Sequence, residues 1–184
     1  MESIAVPPDA LLRPFARTDV SELHAVITEN RQHLDQWLRW SSALQALPAV
    51  DAFVAQFQDK LARGDGFHLG LWLGGELAGG IVCWHIHRQN RNAEVGYWLG
   101  TRYVGRGLAT RAAHAVLAHL FTQEGLHRVE MQCAVENRAS RAIPEGLGFQ
   151  LEGIRRDSHW ITWRFQDHAV YGLLAPEWRQ LTTA

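Results

Sequence analysis

Apolar positions along the 184-residue chain recur at two different periods, and the switches between them mark out the elements. Leu11 to Arg17 reads as a first strand. Asp19 stands where an N-cap would open a helix running to about Asn30. His33 to Trp40 reads as a second, short helical piece with Trp37 and Trp40 near its end. Asp51 is a further N-cap position, and Phe53, Val54, Phe57 and Leu61 follow at helical spacing until Gly64 and Gly66. The period then shortens to two. Phe67, Leu69, Leu71 and Leu73 share one face of a strand from Gly66 to Leu73, and Gly74-Gly75 has the composition of a hairpin turn. Leu77 to His87 and Asn92 to Leu99 complete a three-strand meander.

The next helix, from Leu108 to about Gln123, is apolar around most of its circumference. Only Arg111, His114 and Thr122 mark a polar stripe, so it is expected to pack on the sheet. Arg128 to Val135 alternates again, with Val129, Met131, Cys133 and Val135 together. Asn137 can cap a helix that ends at Gly146 or Gly148. Phe149 to His159 and His168 to Leu174 read as two final strands joined by a Trp-rich loop. The pattern predicts an α/β (α+β) domain. Its central sheet is mixed but mainly antiparallel, has about seven strands and is flanked by helices. It spans residues 11–176, after a loose lead-in over 1–10 and before a tail over 177–184.

Composition narrows the function classes. Apolar residues make up 47% of the chain, enough for a substantial core. The formal net charge of −1 argues against phosphate-backbone binding, so no nucleic-acid partner is expected. No apolar run approaches the roughly 20 residues of a membrane span, and the N-terminus lacks a basic region followed by a long apolar one. Cys83 and Cys133 both fall in predicted strands. Free, buried, reduced thiols and a cytoplasmic location are expected.

The chemistry concentrates in Arg102-Tyr-Val-Gly-Arg-Gly-Leu-Ala-Thr110, between a strand and a helix. Glycines there let the backbone turn sharply and let a ligand approach. Amides of the turn and the positive end of the helix make a place for an anion, most simply a phosphate, with Arg102 and Arg106 beside it. An ordinary tight turn is the plain alternative. A Walker loop is excluded because no Gly-Lys-Ser/Thr follows at the required spacing. A dinucleotide fingerprint would need Gly or Ala where Thr110 stands.

The remaining Arg-x-x-Gly-x-Gly pattern resembles the pyrophosphate loop of the GNAT superfamily, the acyl-CoA-dependent N-acyltransferases. Ala93-Glu-Val-Gly-Tyr-Trp-Leu99 before it, and Asn137-Arg-Ala-Ser140 and Gly148-Phe-Gln-Leu-Glu-Gly153 after it, are similar to the RimJ/RimL branch. Known members of that branch acetylate protein N-termini, notably of ribosomal proteins. The resemblance covers about Leu11 to Ala175. It implies a GNAT fold and acetyl-CoA as co-substrate. The acetyl-CoA would lie between splayed strands at Tyr97, Trp98 and Leu99 and at Cys133 to Val135. Its pyrophosphate would sit on the amides of Val104, Gly105, Arg106, Gly107, Leu108, Ala109 and Thr110, with Arg102 close by. Asn137 would contact the pantetheine arm, and Phe149 is also placed among the cofactor residues.

The resemblance further implies that Ser140 protonates the leaving thiolate; the alternative is a first-turn serine that only satisfies a helix start. Glu94 is a candidate base for the acceptor ammonium, with a surface ion pair as its alternative. His159 replaces a glutamate that RimL-like members carry; it can serve the same role or merely end a strand. Trp37, Trp40 and Trp160, with His85 and His87, are expected to wall the acceptor pocket, against plain packing. Cys83, His85 and His87 alternate along one strand and could ligate a metal, but no fourth ligand is evident and none is expected. Pro144 falls inside the Ser140 helix, removes the N–H that would bond the Ser140 carbonyl, and is expected to kink it.

The expected reaction is acetyl transfer by direct attack of a primary amine, the N-terminal α-amine of a protein. The alternatives are a small amine (a polyamine or an aminoglycoside) and a non-catalytic acyl-CoA-binding module. A homodimer is compatible with the resemblance.

Overall fold

The computed structural model describes residues 2–183. Eight strands form one sheet, β1 (Ile4–Val6), β2 (Ala10–Pro14), β3 (Phe67–Leu73), β4 (Glu76–His87), β5 (Asn92–Leu99), β6 (Arg128–Ala134), β7 (Gln150–Ile161) and β8 (Arg164–Leu174). Their spatial order is β1-β2-β3-β4-β5-β6-β8-β7. Every neighbouring pair is antiparallel except β5 with β6. The helices are α1 (Val20–Glu29), α2 (Arg31–Leu34), α3 (Leu47–Arg63), α4 (Leu108–Thr122), α5 (Arg138–Gly146) and α6 (Ala175–Thr183).

The helices cover both faces of the sheet. Val116, Leu117 and Leu120 of α4 pack with Leu69, Val95, Met131 and Tyr171 on one face. Leu23 and Ile27 of α1 and Val54 and Phe57 of α3 pack with Trp72, Val82 and Trp98 on the other. Strand β3 is therefore buried on both sides, Phe67, Leu69 and Leu71 one way and His68 and Trp72 the other. Each fully buried Leu or Ile contributes roughly 1.5–3 kcal/mol. The meander turns at Gly74 and Gly75, whose φ of 60° and 89° match a two-residue hairpin turn that twists with its strands.

Several boundaries differ from the sequence expectation, each for a non-local reason. The lead-in contains β1, which pairs Ile4 to Val6 with Leu12 to Ala10 and makes the eighth strand. The tail contains most of α6, whose Trp178 is buried against His114 and Phe121 of α4. Helix α3 begins at Leu47 with a proline in its first turn, so Asp51 lies inside it and pairs with Arg17 at 2.6 Å instead of capping. Gly64 ends it in the left-handed conformation, φ 70°. Asp19 does not cap α1 with its side chain; its carboxylate accepts from the Ala16 amide and from Arg13. The stretch from His33 to Trp40 is helical only to Leu34, before a turn and a 3₁₀ turn at Ser41–Ala43. The Trp-rich loop shrinks to Thr162 and Trp163, because β7 and β8 pair out to Ile161 and Arg164.

A bulge in β4 changes one site expectation. The β4–β5 register slips between Cys83 and Ile86. Cys83 and Ile86 thus face the same core, while His85 and His87 are exposed, stacked on each other at 5.9 Å. The row of three potential ligands is broken. Among the described residues no cluster of three or more His, Cys, Asp or Glu side chains could hold a metal. No helix of the described residues is long and apolar enough to cross a membrane.

Candidate active site

The sheet opens at its one parallel pair. The β5–β6 register covers only Asn92 with Arg128, Ala93 with Val129 and Glu94 with Glu130. Beyond Glu94 the two strands share no ladder, although β5 stays paired to β4 as far as Leu99 and β6 to β8 as far as Ala134. A cleft of about 880 Å³ fills the opening. One end is the loop before α4. The other is walled by Trp37 and Trp40 after α2 and by His159 and His168 of the β7–β8 hairpin.

The loop turns unpaired backbone groups towards the cleft. Gly105 and Gly107 have φ of 78° and 68°, which L side chains rarely adopt. No side chain caps α4, and the Arg111 amide bonds the Gly107 carbonyl to start the helical ladder. The amides of Leu108, Ala109 and Thr110 therefore have no partner within the helix, and all three residues border the cleft. The helix dipole adds positive potential at the same point.

Midway along the cleft, Tyr97 of β5, Cys133 of β6 and Ser140 of α5 meet. The Ser140 hydroxyl lies 3.1 Å from the Tyr97 oxygen and 3.3 Å from the Cys133 sulfur. The Ser140 amide donates to the Asn137 side chain at 3.0 Å, so Asn137 caps α5 as expected from the sequence. The helix continues through Pro144, and the carbonyl that Pro144 leaves without a helical partner accepts from the Tyr97 hydroxyl at 2.7 Å. Burial raises the Tyr97 and Cys133 pKa values, so both keep their protons.

At the far end, Glu94 is half-buried and accepts from Gln132 at 3.0 Å. Burial first, and then the charge of Glu130, raise its pKa above the usual carboxylate range. His159 and His168 stack with ring centroids 3.8 Å apart and planes 12° from parallel. Burial, with Arg155 and Arg39 adding to it for His159, lowers both pKa values, that of His168 to about 4. Both ring nitrogens of His168 are buried without a hydrogen-bond partner among the described residues.

The model of the acetyltransferase (GNAT) domain matches residues 9–150 of this chain. The chain belongs to the GNAT acetyltransferase family. It is 32% identical over 168 residues to the putative ribosomal N-acetyltransferase YdaF of Bacillus subtilis, covering 91% of this chain and 92% of that one. It is 28% identical over 170 residues to the ribosomal-protein-serine acetyltransferase of Escherichia coli, covering 92% and 95%. Among solved structures, the RimL ribosomal L7/L12 α-N-protein acetyltransferase in complex with coenzyme A superposes with a TM-score of 0.92. That alignment covers 96% of this chain and 99% of that one at 24% identity, and bears on fold alone.

As a GNAT enzyme the chain uses acetyl-CoA, and its loop fits the pyrophosphate. Glycine is required at 105 and 107 by conformation and not by crowding, since a Cβ at either would meet nothing within 4 Å. Val104, Tyr97, Trp98, Leu99, Cys133 and Asn137 all border the cleft, as do Glu94, Ser140, His159, Trp37 and Trp40. Six other candidates do not. Arg102 turns away to Glu76 at 2.9 Å and to the Tyr103 hydroxyl, and Arg106 is exposed outside the cleft. Phe149 is buried in the α4-side core. His85 and His87 lie beyond the bulge, and Trp160 is half-exposed against Phe165.

Sequence reasoning missed His168, Gln132 and His68. The alternation that places Val129, Met131 and Cys133 on the α4 side implies that Gln132 faces the other way, beside Glu94. For His168 the signal was the same alternation, read from Ala169 and Tyr171. His68 carried no signal, because its role depends on Trp98: the Trp98 indole N–H donates to its Nε2 at 3.1 Å and so fixes one wall of the cleft.

Proposed function

We propose that this acetyltransferase acts on the N-terminal α-amine of a protein, of the ribosomal-protein type. The observation that carries the proposal is the lining of the acceptor end. Its charged side chains are one carboxylate, Glu94, and one guanidinium, Arg39, set among Trp37, Trp40, Trp84 and three histidines, His33, His159 and His168. A polyamine or aminoglycoside carries several positive charges and calls for several carboxylates. A peptide N-terminus carries one. The names of the ribosomal-protein relatives support the same substrate class. Reduced thiols at Cys83 and Cys133, both free and buried, fit a cytoplasmic setting.

Acetyl-CoA, when bound, supplies an activated thioester carbonyl. The amides of residues 104–110 hold its pyrophosphate, and the open edge of β5 offers main-chain groups to the pantetheine. The acceptor α-amine has an ordinary pKa of about 7.7–8.0, so a modest base suffices. Glu94 fills that role at its carboxylate, because burial has made it more basic; His159, neutral at neutral pH, is the second candidate. Ser140 Oγ–H is the proton donor for the sulfur. Attack is direct. Burial pushes the Cys83 thiol up to about 12, and Cys133 is hydrogen-bonded to Ser140 and Tyr97, with no imidazole–carboxylate pair among the described residues to ionise it.

A thiol-release assay across N-terminal peptides, polyamines and aminoglycosides tests the substrate class. Peptides are expected to turn over fastest. Faster turnover of a polyamine than of any peptide overturns it.

A further inference from the structure

We propose that Tyr97 is a positioning residue for Ser140, and that Pro144 is what makes it one. The inference rests on the role given to Ser140 above. In a regular helix the amide four residues on closes the bond to each carbonyl, and at position 144 proline has no N–H to give. Any other residue there would bond the Ser140 carbonyl and compete with the phenol. Here Tyr97, from a strand, fills the vacancy at 2.7 Å.

One phenol thereby fixes two atoms of the same serine. Its only proton is committed to the Ser140 carbonyl, which leaves its oxygen as an acceptor for Ser140 Oγ–H at 3.1 Å. The serine amide is held separately by Asn137. Backbone N–H, backbone C=O and side-chain hydroxyl are thus each tied to a group outside the helical ladder. Of the hydroxyl's two contacts, the 3.1 Å to the Tyr97 oxygen is long for an O–H donor, whose usual distance to oxygen is about 2.7–2.8 Å, and the 3.3 Å to the Cys133 sulfur is left for the thiol to close, since the serine has a single proton. The bond to Tyr97 orients that proton yet is readily exchanged for a charge-assisted bond to a leaving thiolate, which is roughly twice as strong as a neutral one. Burial holds the phenol in its protonated form, so its bond to the carbonyl persists across the working pH range.

The test is a cycle of Tyr97→Phe, Pro144→Ala and the double variant, with Ser140→Ala alongside. kcat is measured at saturating acetyl-CoA, and KM for an N-terminal peptide in parallel. In the Pro144 background, Tyr97→Phe is expected to lower kcat about tenfold while the peptide KM stays within about twofold, the size of one lost hydrogen bond that leaves a buried carbonyl unpaired. In the Pro144→Ala background an amide is available to that carbonyl, and the same change should cost less than about threefold. Equal losses in both backgrounds, or no loss in either, overturn the inference. The serine variant separates the two levels. If Ser140→Ala is slow and Tyr97→Phe is not, the positioning role alone fails. If Ser140→Ala keeps wild-type kcat, the catalytic role of Ser140 fails and the positioning role with it.

Discussion

Because buried His68 refuses a proton, this protein should lose stability as the pH falls. The ring is 4% exposed and is surrounded by Phe15, Trp40, Phe53 and Phe57 at centroid distances of 5.0–6.0 Å. Its Nε2 accepts the Trp98 indole N–H, so a second proton would set donor against donor. Burial lowers its pKa to about 3, and that of His168 to about 4, from the usual 6.5. Both folded values are depressed, so above pH 6.5 neither group opposes folding. As the pH falls from 6.5 towards 4 and 3, the unfolded chain takes up protons the folded chain refuses, and stability is lost. Each such group contributes a slope of about 1.4 kcal/mol per pH unit. By about pH 4.5, measured from the fully deprotonated chain, His68 alone costs about 2.7 kcal/mol, and His168, which borders the solvated cleft, about half to all of that. His159 acts in the same direction. Glu94, whose pKa is raised, acts in the opposite one and offsets part of the loss. A net loss of about 3–5 kcal/mol is a large share of the roughly 5–15 kcal/mol typical of a domain. The assay is urea unfolding followed by tryptophan fluorescence at several pH values between about 7 and 4.5. His68→Gln keeps an acceptor for Trp98 and removes the titration. It should flatten the pH slope by about 1.4 kcal/mol per unit, whatever packing loss it brings at neutral pH. An unchanged slope in His68→Gln refutes the reasoning.

The other predictions concern the two ends of the cleft. Glu94→Gln should lower kcat at least tenfold, in line with a general base worth about 10²–10⁴ in rate. Because the charge of Glu130 raises the Glu94 pKa, Glu130→Gln should move the acid limb of the kcat profile to lower pH; an upward or absent shift counts against Glu94 as the base. Arg102→Ala should change the acetyl-CoA Kd by no more than about twofold, since its side chain pairs with Glu76 in solvent and points away from the loop. A tenfold loss by calorimetry would show that the side chain reaches the phosphates after all. Gly79→Ala should destabilise the fold by about 3 kcal/mol, because its Cβ would overlap the Trp98 carbonyl oxygen in the β4–β5 ladder. Melting temperature reports it, and a loss under about 1 kcal/mol contradicts the crowding.

By itself the sequence determined what short-range physics controls. Period-two and period-3.6 patterns placed the meander, α4, β6 and α5. Gly105 and Gly107 announced a left-handed loop at a helix start, and Asn137 announced a cap, because each acts on backbone within a few residues of itself. Only the tertiary structure decided where long-range partners end up. Three residues at the N-terminus became a strand because β2 offered an edge, and α6 formed where Trp178 found α4. The bulge in β4 sent His85 and His87 to solvent and Cys83 to the core, and Glu76 drew Arg102 away from the loop before α4. The stacking of His168 on His159, and the phenol that replaces the amide missing at Pro144, join residues 9 and 47 positions apart. No local pattern carries such pairs, because the energy that selects them appears only when the strands bring them into contact.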